Sequence, residues 1–297
     1  TAVEKIAVMA GNRSAPRIPR LSRISLPLME VLHPQSGKIF SLDIPPRGCK
    51  TCQRTFERMF YSMAKPFIKP VIKPREAAAY AAPGKSLMVG GFNYGGAPYT
   101  IIEALCDSGV KDIDLICVDT SYFQTKVPGP VGVARLVTNG QLRSLVASHI
   151  GLNKKTQELY TSGKLKIELI PMGTFVERIR AGGAGLGGIL TPTGVDTVYE
   201  EGRETVELDG RRYILERPLR ADTAFIRAYK ADAAGNLVYY GTNRNFNPTM
   251  ATAATRVVAE VDEVVPLGEI DPNNVVTPGI FIDALVLKGD GEYASRT

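Results

Sequence analysis

The chain has 297 residues, of which 44% are hydrophobic and 22% are charged, a balance typical of globular proteins. Its longest uncharged apolar runs are far shorter than the roughly 20 residues of a bilayer-spanning helix, which excludes such a helix. The formal net charge of +6 lies in residues 1–62, which hold ten Lys and Arg against four Asp and Glu, while the other residues hold 26 of each. Residues 63–297 therefore carry no net charge, which argues against nucleic-acid binding by this part of the chain. We expect a cytoplasmic protein that engages neither nucleic acid nor a membrane.

Residues 1–62 differ from the rest of the chain, because they mix arginines with prolines and keep no helical or strand period for long. One interpretation is a disordered basic tail, and a second is an organelle-targeting peptide, a class rich in Arg and Ser and poor in acids. We favour a third interpretation, a non-native extension. Glu57–Met59 can be encoded by a purine-rich string resembling a bacterial ribosome-binding site, so the native protein would start at Met63. Residues 63–297 then form one domain.

After Met63 the sequence alternates helical and strand patterns. Apolar runs predict strands, and the periodic segments between them predict helices. In chain order the predicted elements are helix 76–82, strand 87–89, helix 99–108, strand 113–118, strand 142–148, helix 154–162, strand 165–170 and helix 174–181. Strands that alternate with helices predict an α/β fold with a doubly wound, mostly parallel sheet.

The second half of the chain adds β-hairpin signals. Asp209-Gly210 is a two-residue turn of the kind that suits tight hairpins. The predicted elements are a hairpin over 206–215, a second hairpin from strands 223–230 and 237–240 joined across 234–236, a helix at 248–255 and a strand at 256–261. The predicted fold is therefore a doubly wound sheet with inserted β-hairpins.

The cysteines indicate neither a disulfide framework nor a metal site in a chain of this length. Cys106 and Cys117 lie in apolar contexts and are predicted to be small core residues. Cys49 and Cys52 form a lone CxxC. A structural zinc ion would need two further soft ligands, and we interpret His149 as a structural residue, so we expect no metal.

The most informative segment is Gly90–Pro98, which reads GGFNYGGAP and connects a predicted strand to a predicted helix. Glycine has no Cβ and tolerates positive φ, so backbone N–H groups here can approach a phosphate or thioester oxygen closely. We expect ligand contacts from the whole loop: Gly90, Gly91, Phe92, Asn93, Tyr94, Gly95 and Gly96.

Asp119-Thr120 ends the strand predicted at 113–118. In open α/β sheets, ligands sit beyond the carboxyl ends of strands. The glycine-rich loop also follows a strand, so both segments can face one crevice. An ordinary strand-ending turn is the alternative interpretation of Asp119-Thr120.

Two further motifs have structural interpretations. Gly183–Gly188 contains a literal GxGxxG, but it follows a predicted helix instead of a strand, so it is not a dinucleotide fingerprint. It is predicted to be a glycine-built surface loop that lines a site or lets two chains approach closely. In Asn243–Pro248, Asn247 is predicted to cap the following helix, with Pro248 at its first position.

From about Lys73 to Val286 the chain resembles the α subunit of class I (3-oxoacid) coenzyme A transferases, in the acetate/butyrate–acetoacetate group. The family signature runs Gly-x-x, three apolar residues, Gly-Gly-Phe, three residues of any kind, then Gly-x-Pro, and residues 84–98 match it, with Pro83 where Asp or Asn is usual. Later blocks resemble the family in order and spacing: GTFVERIRAGGAGLGG from residue 173, LTPTGVDT from 190, RPLRAD from 217, GNLVYYGTNRNFNP from 235 and VTPGIFID from 276.

The resemblance implies transfer of CoA from an acyl-CoA to a short-chain carboxylic acid by covalent catalysis. In this family a glutamate of the β part, in a Ser-Glu-Asn-Gly setting, attacks the thioester, and this chain contains no such motif. The resemblance thus implies no catalytic nucleophile here, no cofactor other than CoA as substrate thioester, and a β-subunit partner in an αβ or α₂β₂ assembly. It assigns the Gly90–Gly96 loop to CoA.

The resemblance also implies that Asp119, Thr120, Met172 and Gly173 line the site. Fused relatives that use succinyl-CoA carry Asn-Asn in place of Asp119-Thr120, and Gln in place of Met172, whereas the Asp-Thr pair suits the short-chain fatty-acid group. A missing side-chain donor near an oxyanion costs roughly 3–4 kcal/mol if nothing replaces it. Met172 therefore favours an alternative function, in which the chain is an acyl-CoA-binding or sensing module without transfer activity. A sugar-phosphate isomerase is a further alternative, for which Asp119 is the one acid/base candidate.

Overall fold

A computed structural model describes residues 29–32, 39–42, 68–93, 95–121 and 129–290. The chain divides into two compact units, residues 1–65 and 66–297. In the first, strand β1 (Met29–Leu32) pairs antiparallel with β2 (Ile39–Leu42), which the sequence did not predict. The other residues of the predicted extension 1–62, with Cys49 and Cys52, lie outside the described ranges, as does Met63.

The second unit contains the sequence motifs. Its strands are β3 (Ser86–Val89), β4 (Ile113–Cys117), β5 (Leu142–Ala147), β6 (Lys166–Leu169), β7 (Ile189–Thr191), β8 (Thr205–Leu208), β9 (Arg211–Glu216), β10 (Ala221–Arg227), β11 (Lys230–Asp232), β12 (Leu237–Val238), β13 (Ala254–Val261), β14 (Glu263–Val265) and β15 (Ala284–Leu287). Its α-helices are α1 (Pro74–Ala78), α2 (Tyr99–Ser108), α3 (Val133–Thr138), α4 (Lys154–Thr161), α5 (Met172–Gly183) and α6 (Asn247–Thr252).

Seven strands form the main sheet in the order β15-β13-β10-β3-β4-β5-β6, and every neighbouring pair is parallel. Two three-stranded sheets, β12-β11-β14 and β7-β9-β8, accompany it. At one edge, Val71 forms a parallel bridge to Leu285 of β15, with hydrogen bonds from Ile72 N to Leu285 O (2.8 Å) and from Leu285 N to Pro70 O (2.9 Å).

The side chains of the main sheet feed two hydrophobic layers, because successive residues of a strand point to opposite faces. Leu87 and Val89 of β3 pack in one layer with α1, α2, α3 and α4, whereas Met88 packs in the other layer with α5 and α6. Helices on both faces of a parallel sheet confirm the predicted doubly wound α/β fold. Cys106 and Cys117 are buried free thiols, as predicted. Among the described residues, no helix is long and apolar enough to cross a bilayer.

The hairpin predicted from strands 223–230 and 237–240 is wrong for most of its first strand, whereas its turn across 234–236 is confirmed. Residues 221–227 form β10, which lies between β13 and β3 in the main sheet and is buried along almost its whole length. The observed antiparallel pairing is the shorter β11–β12 contact around Gly235. A strand covered by helices on both faces is an unbroken apolar run. The apolar run at 224–226 fits that environment better than it fits the half-exposed surface of a hairpin.

The other hairpin is confirmed. β8 and β9 pair antiparallel around Asp209 (φ 50°) and Gly210 (φ 72°), and two positive φ angles are the mark of a tight hairpin turn with the right-handed strand twist. The last predicted helix is shorter than expected, because α6 ends at Thr252 and Ala254 already belongs to β13.

Helix α3 was not predicted. It begins after Gly132, whose φ of 61° suits glycine, and is joined to α2 by the buried carboxylate of Glu103. Glu103 Oε1 accepts from Gly132 N at 2.6 Å, and Glu103 Oε2 accepts from Arg135 Nη1 at 2.7 Å.

The position of β10 predicts a large difference between two isoleucine-to-alanine substitutions. Ile226 in β10 has 0% exposure, whereas Ile280 is 85% exposed. Ile226→Ala should reduce the free energy of unfolding by about 2–5 kcal/mol because it leaves a cavity in the core. Ile280→Ala should change it by less than about 0.5 kcal/mol. Urea denaturation followed by circular dichroism measures both, and equal effects would contradict a central β10.

Candidate functional site

Two loops follow the carboxyl ends of the neighbouring strands β3 and β4, at the end of the main sheet where its parallel strands terminate. Residues 90–98 connect β3 to α2, and Asp119–Ser121 follow β4. Parallel strands end at the same edge, which is where ligands bind in open α/β sheets. The local sequence dictates this layout, since each buried apolar run is followed at once by glycine or small polar residues.

The glycine-rich loop folds into a tight turn of its own. Phe92 N donates to Gly95 O and Gly95 N donates to Phe92 O, both at 2.9 Å. Asn93 has a φ of 53°, a left-handed conformation that asparagine tolerates. Tyr94, predicted as a ligand contact, lies outside the described residues. The loop thus projects Phe92, which is 41% exposed, and Asn93 from the end of β3.

The carboxylate of Asp119 joins the two loops. Its Oδ2 accepts from Asn93 N at 2.8 Å, and its Oδ1 accepts from Ser121 N at 2.9 Å. Ser121 Oγ also donates to Asn93 Oδ1 at 3.0 Å. The predicted meeting of the Gly90–Gly96 loop and Asp119 in one crevice is therefore confirmed.

Thr120 points elsewhere. Its buried hydroxyl lies 2.9 Å from the hydroxyl of Thr156 in α4, and its carbonyl accepts from Asn153 Nδ2 at 2.8 Å. Asn153 also caps α4, because its side chain accepts from Thr156 N. Asp119 thus lies in the crevice, whereas Thr120 anchors α4.

The two outer glycines of the loop pack against protein. A Cβ on Gly90 would lie 1.9 Å from Asn247 Oδ1, and a Cβ on Gly96 would lie 2.4 Å from Asn243 O. Gly96 also has a φ of 70°. Glycine at these positions therefore serves the close approach of the Asn243–Asn247 segment, a reason that the loop sequence alone does not reveal.

Asn247 does not cap α6, contrary to the sequence prediction. Phe246 holds the cap position and Asn247 begins the helix. The Asn247 side chain is fully buried. Its Oδ1 accepts from Arg227 N at 2.9 Å, and its Nδ2 donates to Gly96 O and to Asn243 O, both at 3.0 Å. The carboxamide is a bridge between the end of β10 and the glycine-rich loop.

A line of aromatic rings connects the loop to α5. The ring of Phe92 lies 6.5 Å from that of Phe246, which meets the ring of Phe175 edge-on at 6.1 Å. Phe175 is buried in the first turns of α5, which begins with Met172 and Gly173 at the same edge of the sheet. Met172 is 39% exposed, and a Cβ on Gly173 would meet nothing within 4 Å. Both residues are therefore accessible from solvent, three strands away from the loop.

The crevice itself is narrow. Gly90, Asn93, Ala97, Tyr99 and Asp119 are among the residues around a cavity of about 20 Å³, which is room for roughly one water molecule. The described part of this chain thus offers the wall of a site without the volume for an acyl group.

The other polar groups of the crevice are poor nucleophiles. Burial, with smaller contributions from the carboxylates of Asp119, Glu103 and Glu260, raises the pKa of Tyr99 to about 12. Burial raises the pKa of the Cys117 thiol well above its ordinary value, so the reactive thiolate is disfavoured. Ser121 Oγ is hydrogen bonded to Asn93, and within the described ranges no group of His, Cys, Asp and Glu side chains could hold a metal ion.

A buried charge network lies behind the loop, which the sequence analysis missed. Glu260 of β13 is 1% exposed and accepts from Ile101 N, in the first turn of α2, at 3.3 Å. Arg227 approaches Glu260 Oε1 at 3.4 Å, and its Nη2 donates to both oxygens of Asp262 at 2.8 Å. These charges are scattered in the sequence, and their meeting requires the strand order β13-β10-β3.

The packing of Gly90 predicts a strong effect of one added methyl group. Gly90→Ala should cost about 2–3 kcal/mol, because the methyl would overlap the Asn247 carboxamide, which is fixed by four hydrogen bonds. Gly187→Ala is the matched control, since a Cβ there meets nothing within 4 Å and its φ is not positive. Thermal unfolding of both variants measures the difference, and a Gly90→Ala protein as stable as the control would show that the contact is not present.

Glu260 predicts a pH dependence of stability. Burial outweighs Arg227 and the N–H groups of α2, and raises the pKa of Glu260 from 4.5 to about 7. Between these pH values the folded protein keeps a proton that the unfolded chain has released, so stability falls as the pH rises toward 7. From about pH 5 to about pH 8, the wild type should lose more unfolding free energy than Glu260→Gln does. The exposed Glu207→Gln should follow the wild type, and parallel curves for all three proteins would refute the raised pKa.

Comparisons with known proteins agree with this architecture. Residues 71–288 match the family model described as Coenzyme A transferase. The chain is 47% identical over 218 residues to the acetate CoA-transferase subunit alpha of Escherichia coli K12, covering 73% of this chain and 96% of that relative. It is 41% identical over 203 residues to the acetoacetyl-CoA:acetate/butyrate CoA transferase alpha subunit of Clostridium acetobutylicum, covering 68% and 90%.

A solved acyl-CoA transferase apoenzyme from Escherichia coli O157:H7 shares the fold, with a TM-score of 0.66 at 22% identity. The match covers 75% of this chain and 47% of that one, so this chain spans about half of that longer protein. The structural match shows the fold alone. The family match over residues 71–288 and the two alpha-subunit relatives show the family and the type of subunit as well. The chain therefore belongs to the coenzyme A transferase family and is of its alpha-subunit type.

Proposed function

We propose that this chain is the α subunit of a short-chain acyl-CoA:carboxylate CoA-transferase of the acetate, butyrate and acetoacetate type. It contributes one wall of an active site that a β subunit completes, in an αβ or α₂β₂ assembly. The observation that carries the proposal is the crevice between the Gly90–Gly96 loop and Asp119, where a cavity of only about 20 Å³ adjoins side chains that are poor nucleophiles. Within the described residues this wall supplies neither the space for the substrate nor an attacking group, which supports a contribution of both from another chain.

The proposed reaction has two exchanges in each direction. A glutamate carboxylate of the β subunit attacks the thioester carbonyl, which gives a mixed anhydride and releases the CoA thiolate. The thiolate then attacks the glutamyl carbonyl of the anhydride, which releases the first carboxylate and leaves a glutamyl–CoA thioester. The incoming acid reverses both steps and leaves as a new acyl-CoA, so no cofactor other than CoA itself takes part.

This chain would contribute binding and orientation. The glycine-rich loop lets backbone come close to the thioester end of the substrate, and Asp119 fixes that loop through Asn93 N at 2.8 Å. Contacts of the protein with CoA, remote from the reacting atoms, can then lower the barrier of the chemical step. The proposed substrates are short acids and their CoA thioesters, which fits the cytoplasmic location that the sequence predicts.

Met172 supports one alternative, an acyl-CoA-binding module of the same fold without transfer activity. The thioether is exposed at the start of α5 and provides no N–H donor for an oxyanion. The isomerase alternative is weaker, because both oxygens of Asp119 already accept backbone N–H groups and the carboxylate is tied into the loop.

Reconstitution with the β partner tests the proposed function. The chain alone should show no CoA transfer from acetoacetyl-CoA to acetate, and the co-expressed complex should transfer it. Mass spectrometry of the complex, treated with acyl-CoA in the absence of acceptor acid, should find the CoA adduct on the partner and none on this chain. Transfer by the rigorously purified single chain would overturn the proposal. CoA binding by the complex without turnover would favour the binding module.

A further inference from the structure

We propose that Asn245 and Asn247 are positioning residues for the CoA thioester, because they fix the orientation of successive peptide groups in the glycine-rich loop. The inference rests on the proposed function, since it takes the Gly90–Gly96 loop as the CoA-binding element. It assigns a role in substrate binding to two amides that lie behind the loop.

The two asparagines hold two consecutive carbonyl groups of the loop. Asn245 Nδ2 donates to Gly95 O at 2.9 Å, and Asn247 Nδ2 donates to Gly96 O at 3.0 Å. In a trans peptide the C=O and N–H bonds point in opposite directions. The N–H groups of Gly96 and Ala97 therefore point away from the asparagines, and Ala97 lies among the residues around the crevice cavity.

This orientation matters for the charge that the reaction develops. A carbonyl oxygen turned toward the crevice would repel a thioester oxygen on its way to an oxyanion, whereas the N–H edge of the loop attracts it. At a glycine the two peptide orientations differ little in energy, because positive and negative φ are similarly accessible to it. The amide donors of the asparagines, together with Phe92 N as a second donor to Gly95 O, hold the orientation that keeps the carbonyls out of the crevice.

The asparagines are themselves held firmly. Asn247 Oδ1 accepts from the backbone N–H of Arg227 at 2.9 Å, and the Arg227 side chain is bound to both oxygens of Asp262. An amide that accepts from an N–H and donates to carbonyls has one satisfactory orientation. Asn245 Oδ1 accepts from Phe246 N at 2.7 Å and from Asn247 Nδ2 at 3.2 Å. The central strand β10 thus sets the geometry of the loop through two side chains.

Binding measurements on the reconstituted αβ complex test the inference, with acetyl-CoA as the probe. Asn245→Ala removes the side-chain donor to Gly95 O and leaves Phe92 N as its backbone donor. Asn247→Asp keeps the acceptor for Arg227 N but replaces the donor to Gly96 O. Each should raise the Kd for acetyl-CoA and the KM of the acyl-CoA substrate by about 10-fold, as loss of one or two hydrogen bonds implies. Calorimetry separates this rise in Kd from a lower number of binding sites, which is what partial unfolding alone would produce.

Asn236→Ala is the matched control. Asn236 is half-buried like Asn245, but it lies in the turn between β11 and β12. Its Nδ2 donates to Asp232 Oδ2 at 2.8 Å, and its Oδ1 accepts from Gly279 N at 2.9 Å, so its hydrogen bonds are comparable. It should leave the Kd within about twofold of the wild type. If Asn247→Asp fails to assemble, Asn245→Ala decides.

Two results would overturn the inference while leaving the proposed function intact. One is a wild-type complex that transfers CoA while both asparagine variants bind acetyl-CoA with the wild-type Kd. The other is a loss confined to the number of sites, with Kd and KM unchanged. A wild-type complex that neither binds acetyl-CoA nor transfers CoA would overturn the proposed function and this inference together.

Discussion

The buried carboxamide of Asn247 is the interaction on which the edge of the sheet depends. It ties the backbone of Arg227, at the end of a central strand, to the carbonyl of Gly96 and to the turn before α6. A buried amide with all these groups paired is specific, because leaving any of the partners unpaired costs about 1–3 kcal/mol. The position of the glycine-rich loop is thus determined from behind by the sheet, and Gly90 must lack a side chain for the amide to fit.

This arrangement gives the glycines a double meaning. A run of glycines between a strand and a helix suggests a ligand that needs bare backbone. Here Gly90 and Gly96 meet protein atoms at distances no Cβ could tolerate, while the turn from Phe92 to Gly95 projects from the edge of the sheet. Packing on one side of the loop and exposure on the other are compatible with binding, since a loop held rigidly loses less entropy when a ligand orders it.

The sequence was sufficient for the fold class, because its signals are local. The apolar runs at β3, β4, β5 and β6 and the periodic helices between them need no distant partner to be recognised. The same holds for Asp209-Gly210, whose turn chemistry determines a hairpin directly. The meeting of Asp119 with the glycine-rich loop followed from one topological rule about strand ends.

What the sequence could not provide depends on contacts between distant segments. β10 looked like a hairpin strand because its neighbours β3 and β13 lie far away along the chain. Asn247 fitted a helix cap by local pattern, and the competing demand from Arg227 N and Gly96 O appears only after β10 and β3 are paired. Glu260 and Arg227 are ordinary charged residues in the sequence, and their burial is a property of the assembled sheet.

The bridge between Val71 and β15 has a practical consequence for anyone who shortens or fuses this chain. An outer strand with unsatisfied N–H and C=O groups is a template for pairing between molecules. Residues 70–72 occupy part of that margin by exchanging hydrogen bonds with Leu285. Because they pair with β15, less of that edge is free to pair with another molecule. A tag or a truncation that disrupts residues 70–72 would expose the edge of β15 and favour self-association and lower solubility.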